Sequence, residues 1–216
     1  MTKPFIIFGA GGHGEVVLDA ARAAGMPVAW VVDDEPPGAE FMGARVLCGN
    51  DPEWIALRRF SFIVAVGDNR NRARVFQQLL DKGGTPVNVL HPAAIMSPHA
   101  ELGRGIFCAA GSVINPAAKV RDNCIINTCA SVDHDCVIGA HVHICPGVRL
   151  GGNVTVGAGT MIGLGAVVLP GIVLGENCVV GAGSVVNRDL PAGVVAYGKP
   201  VRVKRSSSVH SLCDHH

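Results

Sequence analysis

Apolar residues in the second half of the chain recur strictly every six positions, a period that an α-helix cannot sustain. From Leu102 the steps fall on Cys108, Ile114, Val120, Ile126, Val132, Ile138, Ile144, Leu150, Val156, Ile162, Val168, Leu174, Val180 and Val186, all aliphatic except the cysteine. Four residues after each lies a second, mostly small column that includes Ile106, Ser112, Ala118, Cys124, Cys136, Cys178 and Ser184. Two inward columns per hexad predict short strands joined by corners. Glycine follows the aliphatic position at 103, 139, 151, 157, 163, 175 and 181, where a sharp corner favours a residue without Cβ. Residues 102–186 make fifteen such steps, or five coils, with Leu90 and Met96 extending the pattern upstream.

The first part follows a different rhythm. Residues 4–8 read as a buried strand, followed by Gly9-Ala-Gly11-Gly12-His13-Gly14 and an amphipathic helix ending near Gly25. A second strand over 28–32 delivers Asp33 and Asp34, and a third over 62–66 leads into Gly67, with Asp68 and Asn69 as helix-capping residues. A helix to about Lys82 and a short strand over 87–90 complete the unit. The glycines match G-x-G-x-x-G, which lets backbone amides and a helix N-terminus approach a phosphate, and an acid after the second strand suits a ribose. About 90 residues suffice for one mononucleotide half of a doubly wound fold, so a nucleoside diphosphate fits better than a dinucleotide.

Composition narrows the function classes. Lys+Arg 18 against Asp+Glu 17 leaves a net charge of +1, which provides no field for nucleic acid or an anionic membrane surface. No apolar run approaches a membrane-spanning length and the N-terminus lacks signal-peptide order, so the expectation is a soluble, cytoplasmic protein. The eight cysteines form no C-x-x-C pair and read as small buried hydrophobes rather than a disulfide or metal framework, with no metal expected. Polar residues concentrate around Asn127 and Asp133-His134-Asp135-Cys136, with His141 and His143 following. An imidazole suits proton removal near neutral pH, and either Asp133 or Asp135 is spaced to fix its tautomer. Cys136 belongs to the inward small column, which disfavours a nucleophilic role.

The period-six half resembles the hexapeptide repeat of left-handed parallel β-helices. That resemblance implies a prism with coils of eighteen residues, assembly as a homotrimer, and active sites in the clefts between neighbours. The fold expected is therefore an α/β half-Rossmann domain over 1–90, a left-handed parallel β-helix over 91–190, and a C-terminal extension over 191–216 whose polar end, from Ser206, is disordered. Taken together, Gly9-Ala-Gly-Gly-His-Gly14, Val31-Val-Asp-Asp34, Ala65-Val-Gly-Asp-Asn-Arg70, His91-Pro92, Ile126-Asn-Thr128 and Val132-Asp-His-Asp-Cys136 resemble the PglD/NeuD-type sugar acyltransferases.

This resemblance implies N-acetylation, with acetyl-CoA as co-substrate, of the 4-amino group of a nucleotide-linked 4-amino-4,6-dideoxyhexose. His134 would be the general base and Asp135 its orienting acid. Gly11, Gly12, His13, Asp33, Asp34, Gly67 and Asn127 would hold the nucleotide sugar, while His143, Leu164 and Ala182 would meet acetyl-CoA. Lys199, Arg202, Lys204 and Arg205 lie after the last coil, where CoA phosphates offer one use for them. Two other readings compete: O-acetylation of a sugar hydroxyl of the sialic-acid type, and a zinc-dependent carbonic-anhydrase-like prism whose metal site, built across subunit interfaces, would use His134, His141 and His143.

Overall fold

A computed structural model describes residues 3–57 and 59–206. The expected disordered end falls outside the described residues, except Ser206, which closes the last strand.

The N-terminal unit is a sheet in the order β3-β4-β2-β1-β5-β6, built from β1 (Phe5–Phe8), β2 (Val28–Asp33), β3 (Glu40–Phe41), β4 (Ala44–Cys48), β5 (Ser61–Val64) and β6 (Thr85–Pro86). All pairs are parallel except the β3–β4 hairpin. β1 is buried along its whole length because both sheet faces are covered, which is why it reads as a continuous apolar run. Helix α1 (Gly12–Ala23) starts directly after the glycine turn, one-turn α2 (Pro52–Ile55) is capped by Asp51, and α3 (Asn69–Asp81) is capped by Asp68, whose carboxylate accepts from the Asn71 N–H at 2.8 Å. The chain moves outward from β1 to β2 and β4, then returns to β5. A crevice therefore opens at the carboxyl ends of β1 and β5, the switch point at which open α/β sheets take ligands.

From Val89 onward the chain winds a left-handed parallel β-helix of two-residue strands. Its first face carries Val89–Leu90, Phe107–Cys108, Ile125–Ile126, His143–Ile144, Met161–Ile162 and Val179–Val180. The second runs from Ile95–Met96 to Val185–Val186, and the third from Glu101–Leu102 to Val173–Leu174. Partners are eighteen residues apart, as in Phe107 with Ile125 and Ile125 with His143. The first prism strand thus begins at Val89, just before the boundary drawn at residue 91. Both predicted columns point inward: Ile126, Val132, Ile138 and Ile144 are fully buried, as are Ala118, Ala130, Cys136 and Val148. Each large aliphatic side chain so placed contributes about 1.5–3 kcal/mol.

The corners differ from expectation. Positive φ recurs at Gly105, Gly111, Ala117, Asn123, Cys129, Asp135, His141, Gly147, Asn153, Gly159, Gly165, Gly171, Asn177 and Gly183, three residues after the aliphatic column rather than one. The glycines directly after that column serve close stacking instead. A Cβ on Gly157 would lie 2.4 Å from the Glu176 nitrogen in the next coil, and one on Gly163 2.7 Å from that of Ala182.

The extension after residue 190 continues the sheet of the first face. Val194–Tyr197 joins the first face in parallel and Arg202–Ser206 returns antiparallel, which covers a strand edge otherwise open to pairing. Outward residues of the first face, Val89, Phe107 and Ile125, share one core with Val17 and Ala21 of α1 and Ile7 of β1. The N-terminal unit therefore sits on this face.

Candidate functional site

The glycine turn divides into packing glycines and open ones. A Cβ on Gly9 would meet the Ala65 carbonyl oxygen at 2.6 Å, and one on Gly14 the Gly9 oxygen at 2.3 Å, so these two let strand and helix close up. Around a Cβ on Gly11, Gly12 or Gly67 there is nothing within 4 Å. Gly11 begins α1 with no side-chain cap, which leaves the first amides of the helix available to an anion. Asp33 fixes this turn, because its carboxylate accepts from the Ala10 N–H at 2.6 Å and the Glu35 N–H at 2.9 Å. Asp34 points elsewhere. It borders an open cavity of about 460 Å³ with Phe8, Gly49, Trp54, Arg74 and Gln78.

Beneath the turn, His13 and His143 meet at the junction of the two units, ring centroids 6.1 Å apart, with Phe107 edge-on to His13 at 5.4 Å. The Asn127 side-chain oxygen accepts from the Thr128 N–H at 2.8 Å, so its amide nitrogen donates to His143 Nε2 at 3.1 Å. His143 Nε2 is then the acceptor, and its proton sits on Nδ1. That Nδ1 is buried near the Gly67 carbonyl, outside regular hydrogen-bond geometry, and His13 Nε2 is buried without a partner. Burial, and secondarily the charge of Arg72, push His13 down to about 4 and His143 down to about 3. Both rings are neutral at physiological pH.

Arg72, whose charge reaches both rings, is 1% exposed. The sequence reading did not single it out, although Arg72, Val75, Phe76 and Leu79 share one buried face at helical spacing.

His134 occupies another edge. It follows the second-face strand Ser131–Val132 and precedes the third-face strand Val137–Ile138, so it lies on the edge opposite the covered first face. Its Nδ1 is 2.8 Å from Asp135 Oδ2, and both side chains are about half exposed. This hydrogen bond raises the His134 pKa above its usual value. Asp133 turns away, accepting from the Asn115 side chain at 2.7 Å and from the His134 N–H at 2.8 Å, and is held below the usual carboxylate range by these bonds. The geometry thus selects Asp135 over Asp133 as the imidazole's partner. One coil on, Gly152 lies under the ring: a Cβ there would be 2.5 Å from His134 Cε1 and Nε2. The sequence reading missed this glycine, although 134 plus eighteen was the signal.

Leu164 and Ala182 are exposed and stacked eighteen residues apart on the edge between the first and second faces, the edge that also carries Asn127. Arg202, Lys204 and Arg205 are exposed on the terminal hairpin, with Lys204 Nζ 5.0 Å from the Tyr197 ring centre. Cys108, Cys124, Cys136, Cys145 and Cys178 are buried as expected, whereas Cys129 is exposed at a corner and Cys48 half-buried. Burial pushes the Cys136 thiol up, and it donates to the Gly151 carbonyl at 3.2 Å, an inert arrangement. Within one chain the three histidines of the zinc reading do not converge. His141 Nδ1 is engaged by Asn123 at 2.8 Å, His143 lies under the N-terminal unit, and His134 is on the far edge. Among the described residues no three His, Cys, Asp or Glu side chains gather as a metal site.

A mononucleotide-type crevice joined to a hexapeptide prism with an exposed His–Asp pair defines a class, the sugar-modifying acyltransferases, and comparison with known proteins agrees. Residues 4–79 match the PglD N-terminal domain, 129–163 the hexapeptide repeat of succinyl-transferase, and 153–188 the bacterial transferase hexapeptide. GDP-perosamine N-acetyltransferase of Escherichia coli is 31% identical over 93% of this chain and 96% of its own. PerB from Caulobacter crescentus, crystallised with CoA and GDP-perosamine, is 40% identical with a TM-score of 0.87, covering 95% of this chain and 99% of its own. The acetyltransferase domain of PglB from Neisseria gonorrhoeae, solved with acetyl coenzyme A, is 32% identical with a TM-score of 0.87, covering 94% of this chain and 100% of its own.

The chain belongs to the PglD-type hexapeptide-repeat acyltransferases, the family of the perosamine N-acetyltransferases.

Proposed function

We propose that this enzyme transfers the acetyl group of acetyl-CoA to the 4-amino group of a nucleotide-linked 4-amino-4,6-dideoxyhexose, with GDP-perosamine the first acceptor to try. The observation that carries this reading is the full-length likeness to the Caulobacter enzyme whose crystals hold CoA and GDP-perosamine. Local chemistry supports it. With Asp135 accepting the Nδ1 proton of His134, the imidazole keeps its basic lone pair on Nε2. As the sugar amine attacks the thioester carbonyl, Nε2 takes the amine proton. The C–N bond forms, the C–S bond breaks, and the proton passes to the departing CoA thiolate. No acyl-enzyme is involved.

On this reading the diphosphate lies over the amides at Gly11, Gly12 and His13, bounded by Gly67, with the nucleoside toward Asp33. Asn127 and His143 flank the sugar's approach to the CoA edge at Leu164 and Ala182. One chain does not complete such a site, because His134 lies on the edge opposite the face that its own nucleotide unit covers, with the prism core between them. A homotrimer solves this by bringing the His134 edge of one copy to the covered face of the next. Acetyl-CoA and nucleotide sugars are both made in the cytoplasm, where we place the reaction.

The test is mass detection of product after incubation with acetyl-CoA and GDP-, UDP- and dTDP-linked 4-amino-4,6-dideoxyhexoses. Acetylation of one of them by wild type, lost in folded His134→Ala, is expected. A wild-type enzyme that leaves every aminosugar unchanged and acetylates a sugar hydroxyl would overturn the N-acetyl assignment.

A further inference from the structure

The Arg72 guanidinium is the largest fully buried side chain of the described residues. Its Nε donates to the Asn123 carbonyl at 3.1 Å, Nη1 to the Val66 and Gly67 carbonyls at 3.1 Å each, and Nη2 to Asn69 Oδ1 at 2.7 Å and to the His141 carbonyl at 2.8 Å. Asn123 and His141 are successive corners of stacked coils, whereas Val66 and Gly67 form the loop after β5. One side chain therefore bolts that loop to the prism. Every acceptor is neutral, and among the described residues no carboxylate forms an ion pair with it. Burial lowers its pKa to about 10, which still leaves it a cation under working conditions.

A buried cation costs solvation and is ordinarily paired. Here it is not paired, and it stands directly behind Gly67 on one side of the open mouth bordered by Gly11 and Gly12. The missing anion has a natural source. We propose that Arg72 is a positioning residue for the nucleotide sugar, holding the Gly67 loop against the coil corners and supplying, from behind that loop, the positive potential that retains the diphosphate. This deepens the nucleotide-sugar reading and rests on it for the identity of the anion. The same charge acts on His13 and His143, the two histidines that face the mouth from α1 and from the first face. Asp68 at the start of α3 is a nearby carboxylate acting on Arg72, and Cys124 and Cys145 complete its titratable surroundings. Arg72 thereby helps keep both rings neutral, so that neither competes with the sugar as a cation. A lysine cannot replace it, since a single ammonium does not span five acceptors.

The experiment compares wild type, Arg72→Lys, Arg72→Gln and Asn69→Leu by calorimetric titration with GDP, UDP and dTDP, and separately with CoA. Histidine ring NMR across pH accompanies each titration. For the tightest nucleotide, Arg72→Lys and Arg72→Gln should weaken binding at least 10-fold. Asn69→Leu, which removes one acceptor of Arg72 together with the Asn69 Nδ2 bond to the Gly159 carbonyl at 2.9 Å and keeps the charge, should weaken it about 3-fold. CoA affinity should be unchanged throughout, and the His13 and His143 signals should titrate at higher pH in Arg72→Gln. Equal losses for nucleotide and CoA, or wild-type nucleotide affinity in the folded variants, overturn the inference, and a wild type that binds none of the three nucleotides does so as well. Failure of the acetyl-transfer reading looks different: wild type binds nucleotide and CoA but acetylates no aminosugar.

Discussion

Replacing Gly152 by alanine should disable the enzyme without unfolding it. The added Cβ would stand 2.5 Å from two ring atoms of His134, about an ångström inside normal contact. Gly152 is not in the left-handed φ region, so the backbone accepts alanine. The obstructing atoms are the far end of an exposed side chain, and the ring can swing away at a stability change within about 1 kcal/mol. What the swing costs is orientation, because the ring leaves the position in which Asp135 holds Nδ1 at 2.8 Å and in which, on the proposed mechanism, Nε2 would meet the amine. Positioned proton transfer is worth about 10²- to 10⁴-fold, and a displacement of about 1 Å forfeits on the order of 10²-fold. The expected result is kcat lower by about 30- to 100-fold, KM values for both substrates within about 3-fold, and a Tm within about 3 °C of wild type. Continuous measurement of CoA release, checked by product mass, reads the rate. Wild-type kcat in Gly152→Ala would refute the placement of His134 at the reacting amine.

Gly157→Ala provides the contrasting case. Its Cβ would meet backbone of the next coil at 2.4 Å, so the stack itself must part, at about 3 kcal/mol or more and a Tm fall of about 6–12 °C, read by calorimetry. Because His134 must be neutral to accept a proton and its hydrogen bond to Asp135 raises its pKa, the acid limb of the kcat profile should lie above 6.5 in wild type. Asp135→Asn should move that limb to lower pH with a reduced plateau; an unmoved limb would place the titrating group elsewhere. Stability should respond to acid through His13 and His143. Their folded pKa values, about 4 and about 3, lie below the unfolded 6.5, so the unfolded chain binds more protons as pH falls. Stability present above pH 6.5 should decline by several kcal/mol between there and pH 4, and a Tm that stays flat over that window would contradict the buried neutral rings.

The prism was legible in the sequence because every coil repeats one demand, an aliphatic and a small side chain pointing inward, and seventeen strands state it in turn. Corner chemistry was harder to read. The left-handed position is occupied by Gly, Asn, Ala, Cys, Asp and His, so no single residue type marks it, while the conspicuous glycines answer to stacking distance. β1, α1, β2 and α3 followed from their periodicity. The hairpin of β3 and β4, one-turn α2 and the terminal hairpin were not anticipated, being too short to show a period. In the site, His134 and Asp135 were visible as a motif: spacing alone left Asp133 open, the family resemblance pointed to Asp135, and the 2.8 Å hydrogen bond agrees with it. Arg72 was hidden among the charges of Asn69-Arg-Asn-Arg72, where a polar helix start conceals a buried guanidinium; its i, i+3, i+4 companions were the available clue. The separation of His134 from its own nucleotide crevice follows only from counting strands onto faces.

That separation makes the account's central claim testable in mixed trimers. His134→Ala removes the proposed base, and Gly12→Asp places a negative charge at the open start of α1, where an acid suits the helix but would repel the proposed diphosphate. Each variant alone should be inactive. Co-expressed with two tags and purified for both, every mixed trimer holds one interface that joins an intact nucleotide unit to an intact His134. Acetyl transfer at about one third of the wild-type rate is therefore expected. Mixed trimers no more active than the separate variants would mean that one chain supplies both halves of the site, and would contradict the account.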